Sequence, residues 1–305
     1  MAITLTQLNS FMAVVRAGSV TAAAEELVVT QPSVSAALAS LSREVGVDLV
    51  ERDGRNVRLS PAGEAFAPYA AHVLGLLEQG RSAAHEAADT TARKVRITAV
   101  TTAGEFLAPA LIQAFAATHP GIEVELDVGN RERVFRAVRQ HEADVAIAGR
   151  PPSGGELVAI PFLENEVVLI TAPEDPLAAR TRVAVAMLAD RAWLLREEGS
   201  GTRAMSDEFL QGNGLAPRVL TLGSNGAIKQ AAAVGLGVAL QSKVAVQLEL
   251  DAGVLATITL AEEIPARAWY VLRSAVGPVR PPVADFLAFV ASQGLEDLAV
   301  SPVLD

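Results

Sequence analysis

A glutamine set among hydroxyl side chains is the first place in this 305-residue chain where residue types and spacing suggest chemistry. Thr30, Gln31, Ser33 and Ser35 fall within about one and a half turns of a single helical stretch, with Arg43 further along it. A glutamine can engage adenine through two hydrogen bonds, and a hydroxyl can reach a base or a phosphate. Arg52, Arg55 and Arg58 follow at every third position, and guanidinium forks of this kind hold phosphates. A second group lies in four expected loops: Thr101-Thr102, in Thr101–Gly104, and Gly149 follow strands, while Ser200-Gly201-Thr202 and Asn225 precede helices. Small hydroxylated residues with glycine leave backbone amides free to grip an anion there. One such loop is more often an ordinary helix cap. Four loops that converge on one cleft are a candidate anion site.

Catalysis finds no comparable footing. His72, His85, His119 and His141 are scattered, and none sits with acids at metal-ligand spacing. Glu197 and Glu198 are adjacent and point apart. Gly199-Ser200-Gly201 lacks the G-x-S-x-G frame of a nucleophile elbow. Gly235-Leu236-Gly237 follows a helical stretch rather than a strand, so it is no dinucleotide fingerprint. With no cysteine in the chain, disulfides and thiolate metal sites are excluded. The expectation is therefore no enzyme, no catalytic residue, no cofactor and no metal.

The elements that position the first group are legible. Thr6 to Ala17 places Leu8, Phe11, Met12 and Val15 on one helical face. Ser19 is a good cap for a second helix over Thr21–Leu27, rich in strong helix formers. Val28-Val29 breaks the pattern, Thr30 offers another cap, and Pro32 suits the first turn of the next helix. Val34, Leu38, Leu41 and Val45 give that helix one apolar stripe. Two short helices around a tight turn read as a helix-turn-helix, whose second helix enters the major groove by its N-terminal end. Asp48–Arg52 and Asn56–Leu59 flank Asp53-Gly54-Arg55 as a hairpin.

This stretch closely resembles the winged helix-turn-helix of LysR-type transcriptional regulators. The matching residues are Ala23-Ala24 with Leu27, Gln31-Pro32 with Ser35, Leu41 with Gly46, Arg52 with Arg55, and Leu59-Ser60 with Ala62-Gly63. Val50 stands where the family usually has Phe, and Ser42 where it often has Glu. The resemblance implies DNA contacts by Thr30, Gln31, Ser33, Ser35, Arg43, Arg52, Arg55 and Arg58. It also implies an effector pocket lined by Thr101, Thr102, Ser200 and Thr202. The string from Arg196 to Arg203 looks most like the branch that regulates carbon-fixation operons, whose effectors are phosphorylated or otherwise anionic metabolites.

Ser60-Pro61 begins a long helix to about Ala88, on which Phe66, Tyr69, Ala70, Val73, Leu76 and Leu77 form an apolar face. Such a helix usually finds a second copy of itself. Phe66, Val73 and Leu77 are the expected seam. From Lys94 onward strands alternate with helices, which predicts parallel sheet with helices on both faces. Ligands in such sheets bind at the carboxyl ends of the strands. The expected architecture is an α+β and α/β multidomain chain. Residues 1–60 form a winged helix-turn-helix, 61–90 a linker and dimerisation helix, and 94–305 a two-lobed α/β effector domain like a periplasmic binding protein. Its first lobe takes about 94–168 and 271–297, its second about 169–270.

The net charge of −10 argues superficially against DNA, yet residues 1–93 carry seven arginines, no lysine and ten acids. Local placement outweighs the sum. The expected partners are double-stranded DNA at an inverted-repeat operator, a small anionic effector, a second copy through residues 61–90, a homotetramer by resemblance, and RNA polymerase. No membrane span or secretory signal is legible, so a cytoplasmic location is expected. A stand-alone solute-binding module is the rival reading.

Overall fold

The computed structural model describes residues 2–53, 56–89, 93–152 and 154–292. It divides into two compact units, Met1–Ala88 with Arg139–Glu142, and Asp89–Val138 with Ala143–Asp305.

In the first unit, helix α1 (Leu5–Ala17) opens on a reciprocal cap. Gln7 N donates to Thr4 Oγ1 at 3.3 Å while Thr4 N donates to Gln7 Oε1 at 2.7 Å. Ser19 caps α2 (Val20–Glu26) by accepting from Ala22 N at 3.1 Å. Thr30 precedes α3 (Gln31–Val45), but its hydroxyl caps no backbone amide and instead meets Ser33 Oγ at 2.8 Å. The reason is local: Pro32 has no N–H, and Ser33 N already donates to the Thr30 carbonyl at 3.0 Å. Val34, Leu38 and Leu41 of α3 join Phe11, Ala23 and Leu49 in one core. Each large side chain buried there contributes about 1.5–3 kcal/mol, enough to fix how three short helices dock.

Strands β1 (Val50–Asp53) and β2 (Asn56–Leu59) pair antiparallel from Val50–Leu59 to Asp53–Asn56. Ser60 then caps α4 (Pro61–Ala88), accepting from Gly63 N at 3.0 Å and donating to the Asp48 carbonyl at 2.6 Å. Glycine is required at 63 because a Cβ there would overlap the Leu49 carbonyl oxygen. The expected seam of α4 needs correction. Phe66 turns inward, its ring edge-on to Phe11 at 5.7 Å, and Ala70 and Ala71 are buried in the same core. The beginning of α4 is thus spent on covering α1. Tyr69, Val73 and Leu77 are what remains exposed.

The second unit holds two sheet systems. In the first, β3 (Lys94–Val100), β4 (Glu123–Gly129), β5 (Val145–Ala148), β6 (Leu157–Asn165) and β12 (Arg267–Ser274) lie in the order β4-β3-β5-β12-β6. β3 is parallel to β4 and β5, while β12 runs antiparallel to β5 and β6. In the second, β7 (Val167–Thr171) pairs antiparallel with β10 (Ala239–Ser242) and β11 (Ala256–Thr257). β8 (Trp193–Arg196) lies parallel to β9 (Val219–Leu222), and a bridge from Trp193 to Val238 links the pairs. The expected parallel pairing holds for β3 with β4 and β5 and for β8 with β9, while β7, β10, β11 and β12 pair antiparallel. The chain leaves the first sheet at Glu166 and returns at Arg267, so the returning strand enters head-down. β6 was not foreseen because Pro161 interrupts its strand pattern; an edge strand tolerates that proline.

Helices α5 (Thr101–Phe106), α6 (Ala108–Thr118), α7 (Arg131–Arg139) and α10 (Pro281–Ser292) cover the first sheet. Phe115 meets Phe286 and Phe289 edge-on in its core. Thr101–Gly104 was expected as a loop and is the first turn of α5. Asp144 is buried beneath β3 and β5, where Oδ2 accepts from Arg96 N at 2.8 Å and Arg280 Nη2 at 2.7 Å. Burial pushes this carboxyl up, but the bonds and charge of Arg96 and Arg280 outweigh it and hold it below the usual range. In the second lobe, α8 (Gly201–Gly212) lays Met205 and Phe209 on Trp193 and Leu240. On the other face, α9 (Asn225–Ala233) lays Ile228 and Ala232 on Ile170 and Leu194.

Candidate functional site

On α3 the apolar stripe is turned inward, which leaves the opposite face free. Thr30, Gln31, Ser33, Ser35 and Arg43 are all exposed. Four polar side chains therefore crowd the first turns of a helix whose docking is fixed by its other face. In the wing, Arg58 is exposed and its Nη2 pairs with Glu51 at 2.6 Å across the β1–β2 ladder. Arg55 and the side chain of Arg52 lie outside the described residues.

The second unit contains a cavity of about 660 Å³ at the carboxyl ends of β3, β4, β5 and β8. Thr101, Thr102, Gly149, Ser200, Gly201 and Thr202 all line it, drawn from both lobes. Asn225 does not line it but backs its wall. This side chain, 1% exposed, accepts from Arg196 Nη1 at 2.7 Å and donates to Thr102 Oγ1 at 3.2 Å and Glu105 Oε2 at 3.3 Å. It thereby ties α9 of one lobe to α5 of the other.

The alternative that the hydroxyls are only helix caps is partly resolved by geometry. Ser224 caps α9, accepting from Ala227 N at 3.1 Å. Ser200 precedes α8 without any side-chain cap bond. Among the described residues, neither the Ser200 nor the Thr202 hydroxyl has a hydrogen-bond partner. Thr101 Oγ1 donates weakly to the Gly129 carbonyl at 3.4 Å.

Sequence reasoning missed the cations. Arg131, Arg150, Arg196 and Arg267 line the same cavity, against only Glu197 and Glu208. Arg196, 4% exposed, donates to both Glu197 oxygens at 2.7 and 2.8 Å. Burial pushes the Glu197 carboxyl up, yet the Arg196 bonds and a backbone amide outweigh it and hold it ionised below the usual range. Arg131 donates to the Arg150 carbonyl at 3.0 Å and lies 4.8 Å over the Phe135 ring. Arg267 reaches across to Glu208 of α8 at 2.5 Å. Arg131, Arg150 and Arg196 each follow or end a strand, so the carboxyl-end rule would have found them. Arg267 begins an antiparallel strand, which that rule does not cover. Among the described residues, no cluster of His, Cys, Asp or Glu could hold a metal, and no helix is long and apolar enough to cross a membrane.

Comparison with known proteins bears on both regions. Residues 5–64 match the family described as bacterial regulatory helix-turn-helix protein, lysR family, and residues 88–294 match the LysR substrate binding domain. The RuBisCO operon transcriptional regulator of Allochromatium vinosum is 34% identical over 96% of this chain and 97% of its own length. The HTH-type transcriptional activator CmpR of Synechocystis is 33% identical over 88% of each. Among solved structures, the Synechocystis PCC6803 CcmR regulatory domain in complex with 2-PG is 34% identical, with a TM-score of 0.61. That match covers 65% of this chain and 95% of that one.

Proposed function

This chain belongs to the LysR family of transcriptional regulators, and from that membership we propose that its DNA binding is set by a phosphorylated or carboxylated anion held between the two lobes of the effector unit. The observation that carries the reading is the charge of the cavity. Four arginines face two glutamates there, in a chain whose net charge is −10. The hydroxyls of Ser200 and Thr202, without hydrogen-bond partners among the described residues, add donors at the start of α8, where the helix dipole favours negative charge, and Thr101 and Thr102 add theirs from the other lobe. The Synechocystis regulatory domain solved in complex with 2-PG, a phosphorylated carboxylate, supports the same ligand class.

In this reading Thr30, Gln31, Ser33 and Ser35 address base edges and Arg43, Arg52, Arg55 and Arg58 hold phosphates. Tyr69, Val73 and Leu77, four residues apart along α4, form the seam of a homodimer, and two dimers make a tetramer on the operator. A ligand acts only through its unequal affinity for two arrangements of that assembly, typically about 1–3 kcal/mol of coupling. Such a regulator works in the cytoplasm, where operator and RNA polymerase are.

Calorimetry with 2-phosphoglycolate tests the anion reading. The wild-type chain is expected to bind it, and Thr202→Val, which removes a hydroxyl while nearly keeping volume, is expected to weaken binding about tenfold with little change in melting temperature. Equal affinity for the uncharged glycolamide would sink it.

A further inference from the structure

We propose that Asn165 reads a hydroxyl group on the effector, which makes the ligand a hydroxylated anion rather than a bare one. The proposal rests on the anion reading above and adds to it the chemistry of the other end of the molecule. Asn165 is the last residue of β6, immediately before the chain crosses to the second lobe. Its register partner is Arg267, so the two side chains project from the same face of the sheet, and both line the cavity. Asn165 is only 9% exposed, and its Oδ1 is buried without a hydrogen-bond partner among the described residues.

A buried carboxamide oxygen left unpaired lowers folding stability, and an apolar residue at this strand end would avoid that cost. Among the described residues no hydrogen bond holds the amide, and the residue lines the cavity. A rotation of its last torsion exchanges oxygen and nitrogen, so the group offers a donor and an acceptor to whatever enters. A hydroxyl is the partner that uses both. A phosphate or carboxylate uses only the donor and would leave the acceptor facing an anion.

Position separates this end from the anion grip. Thr101 and Thr102 follow β3, and Asn165 ends β6, three strand spacings or about 14 Å away across the sheet. Side chains and hydrogen bonds take up part of that span at each end. What remains fits a ligand a few carbons long, with its charge at the helix starts and a hydroxyl toward the hinge. A free phosphate is too short to meet both.

The test is a matched pair of ligands titrated by calorimetry into the full chain: D-3-phosphoglycerate, and 3-phosphonooxypropanoate, which differs only by lacking the hydroxyl. The wild-type chain is expected to prefer the hydroxylated compound about tenfold. Asn165→Leu is expected to bring that ratio to about one while affinity for 3-phosphonooxypropanoate changes less than about twofold. Asn165→Ala serves as a second variant of lower steric demand. A ratio near one in the wild type, or a tenfold ratio that survives both substitutions, overturns the proposal while leaving the anion reading in place. An equal loss of both ligands also overturns it, by assigning Asn165 a packing role. Failure of the wild type to bind 2-phosphoglycolate and both probes would remove the anion reading itself.

Discussion

Replacing Asn225 with alanine tests whether the two lobes are held together as the geometry implies. The side chain accepts from the Arg196 guanidinium at 2.7 Å and donates to Thr102 Oγ1 at 3.2 Å, wholly out of water. A hydrogen bond to a charged group contributes about 1.5–3 kcal/mol and a neutral one about 1 kcal/mol. The bond to Glu105 ends on an exposed carboxylate and adds little. The expected loss is therefore about 3 kcal/mol, or roughly 6–12 °C in the melting temperature of a unit of this size. Both tryptophans, Trp193 and Trp269, lie in the effector unit, so intrinsic fluorescence follows its unfolding without contribution from the DNA-reading unit. A shift below about 2 °C would mean that solvent or a shifted Arg196 replaces the lost bonds at once, and that Asn225 is no clamp.

Other outcomes follow from local geometry. Val28 is 89% exposed with φ 55, a left-handed conformation that a β-branched residue adopts only under strain; Val28→Asn should stabilise the DNA-reading unit by about 1 kcal/mol, seen as slower hydrogen exchange in α2 and α3, and unchanged or faster exchange would refute the strain. Asp144 is held below its unfolded value, near 3.9, so its contribution to stability is complete above that pH and lost as pH falls through and below it. Acid titration of tryptophan fluorescence should show Asp144→Asn less stable at pH 7 and the gap closing below about pH 4. A gap that stays constant down to pH 2 would be inconsistent with the pairing. Glu51→Gln releases Arg58 from its ion pair, so operator affinity should rise and the salt dependence steepen by up to about one unit of slope; an unchanged slope would take Arg58 off the phosphate backbone.

What could be read without coordinates was whatever short-range spacing encodes. Ser19 and Ser60 announced their helices because a cap is decided within four residues. Gln31-Pro32 marked the start of α3 for the same reason. The second unit was less legible where the outcome depends on distant chain. Pro161 disguised β6, since only the sheet order reveals that it lies at an edge. Thr101–Gly104 looked like a loop because Thr and Gly are poor helix formers, yet α5 is held down by packing on β3 and β4. The site split in the same way. Thr102 could be nominated because its loop follows a strand and Ser200 because its loop precedes a helix, whereas Arg267 reaches the cavity only because the chain returns to the first sheet in the opposite direction. Phe66 was misassigned because periodicity shows which face of α4 is apolar and is silent about which neighbour covers it.

The arginine-lined cavity has a kinetic consequence. An anion approaching this chain meets a net charge of −10, but screening confines that field to about 8 Å at physiological ionic strength. Inside that range the exposed Arg150 at the rim dominates. Adding salt therefore weakens a distant repulsion and a nearby attraction together, and the capture rate should vary little with ionic strength. Operator association, which depends on neutralising phosphates, falls steeply over the same range. A change in ionic conditions inside a cell would then alter how long the regulator stays on DNA while leaving the speed of effector sensing nearly constant.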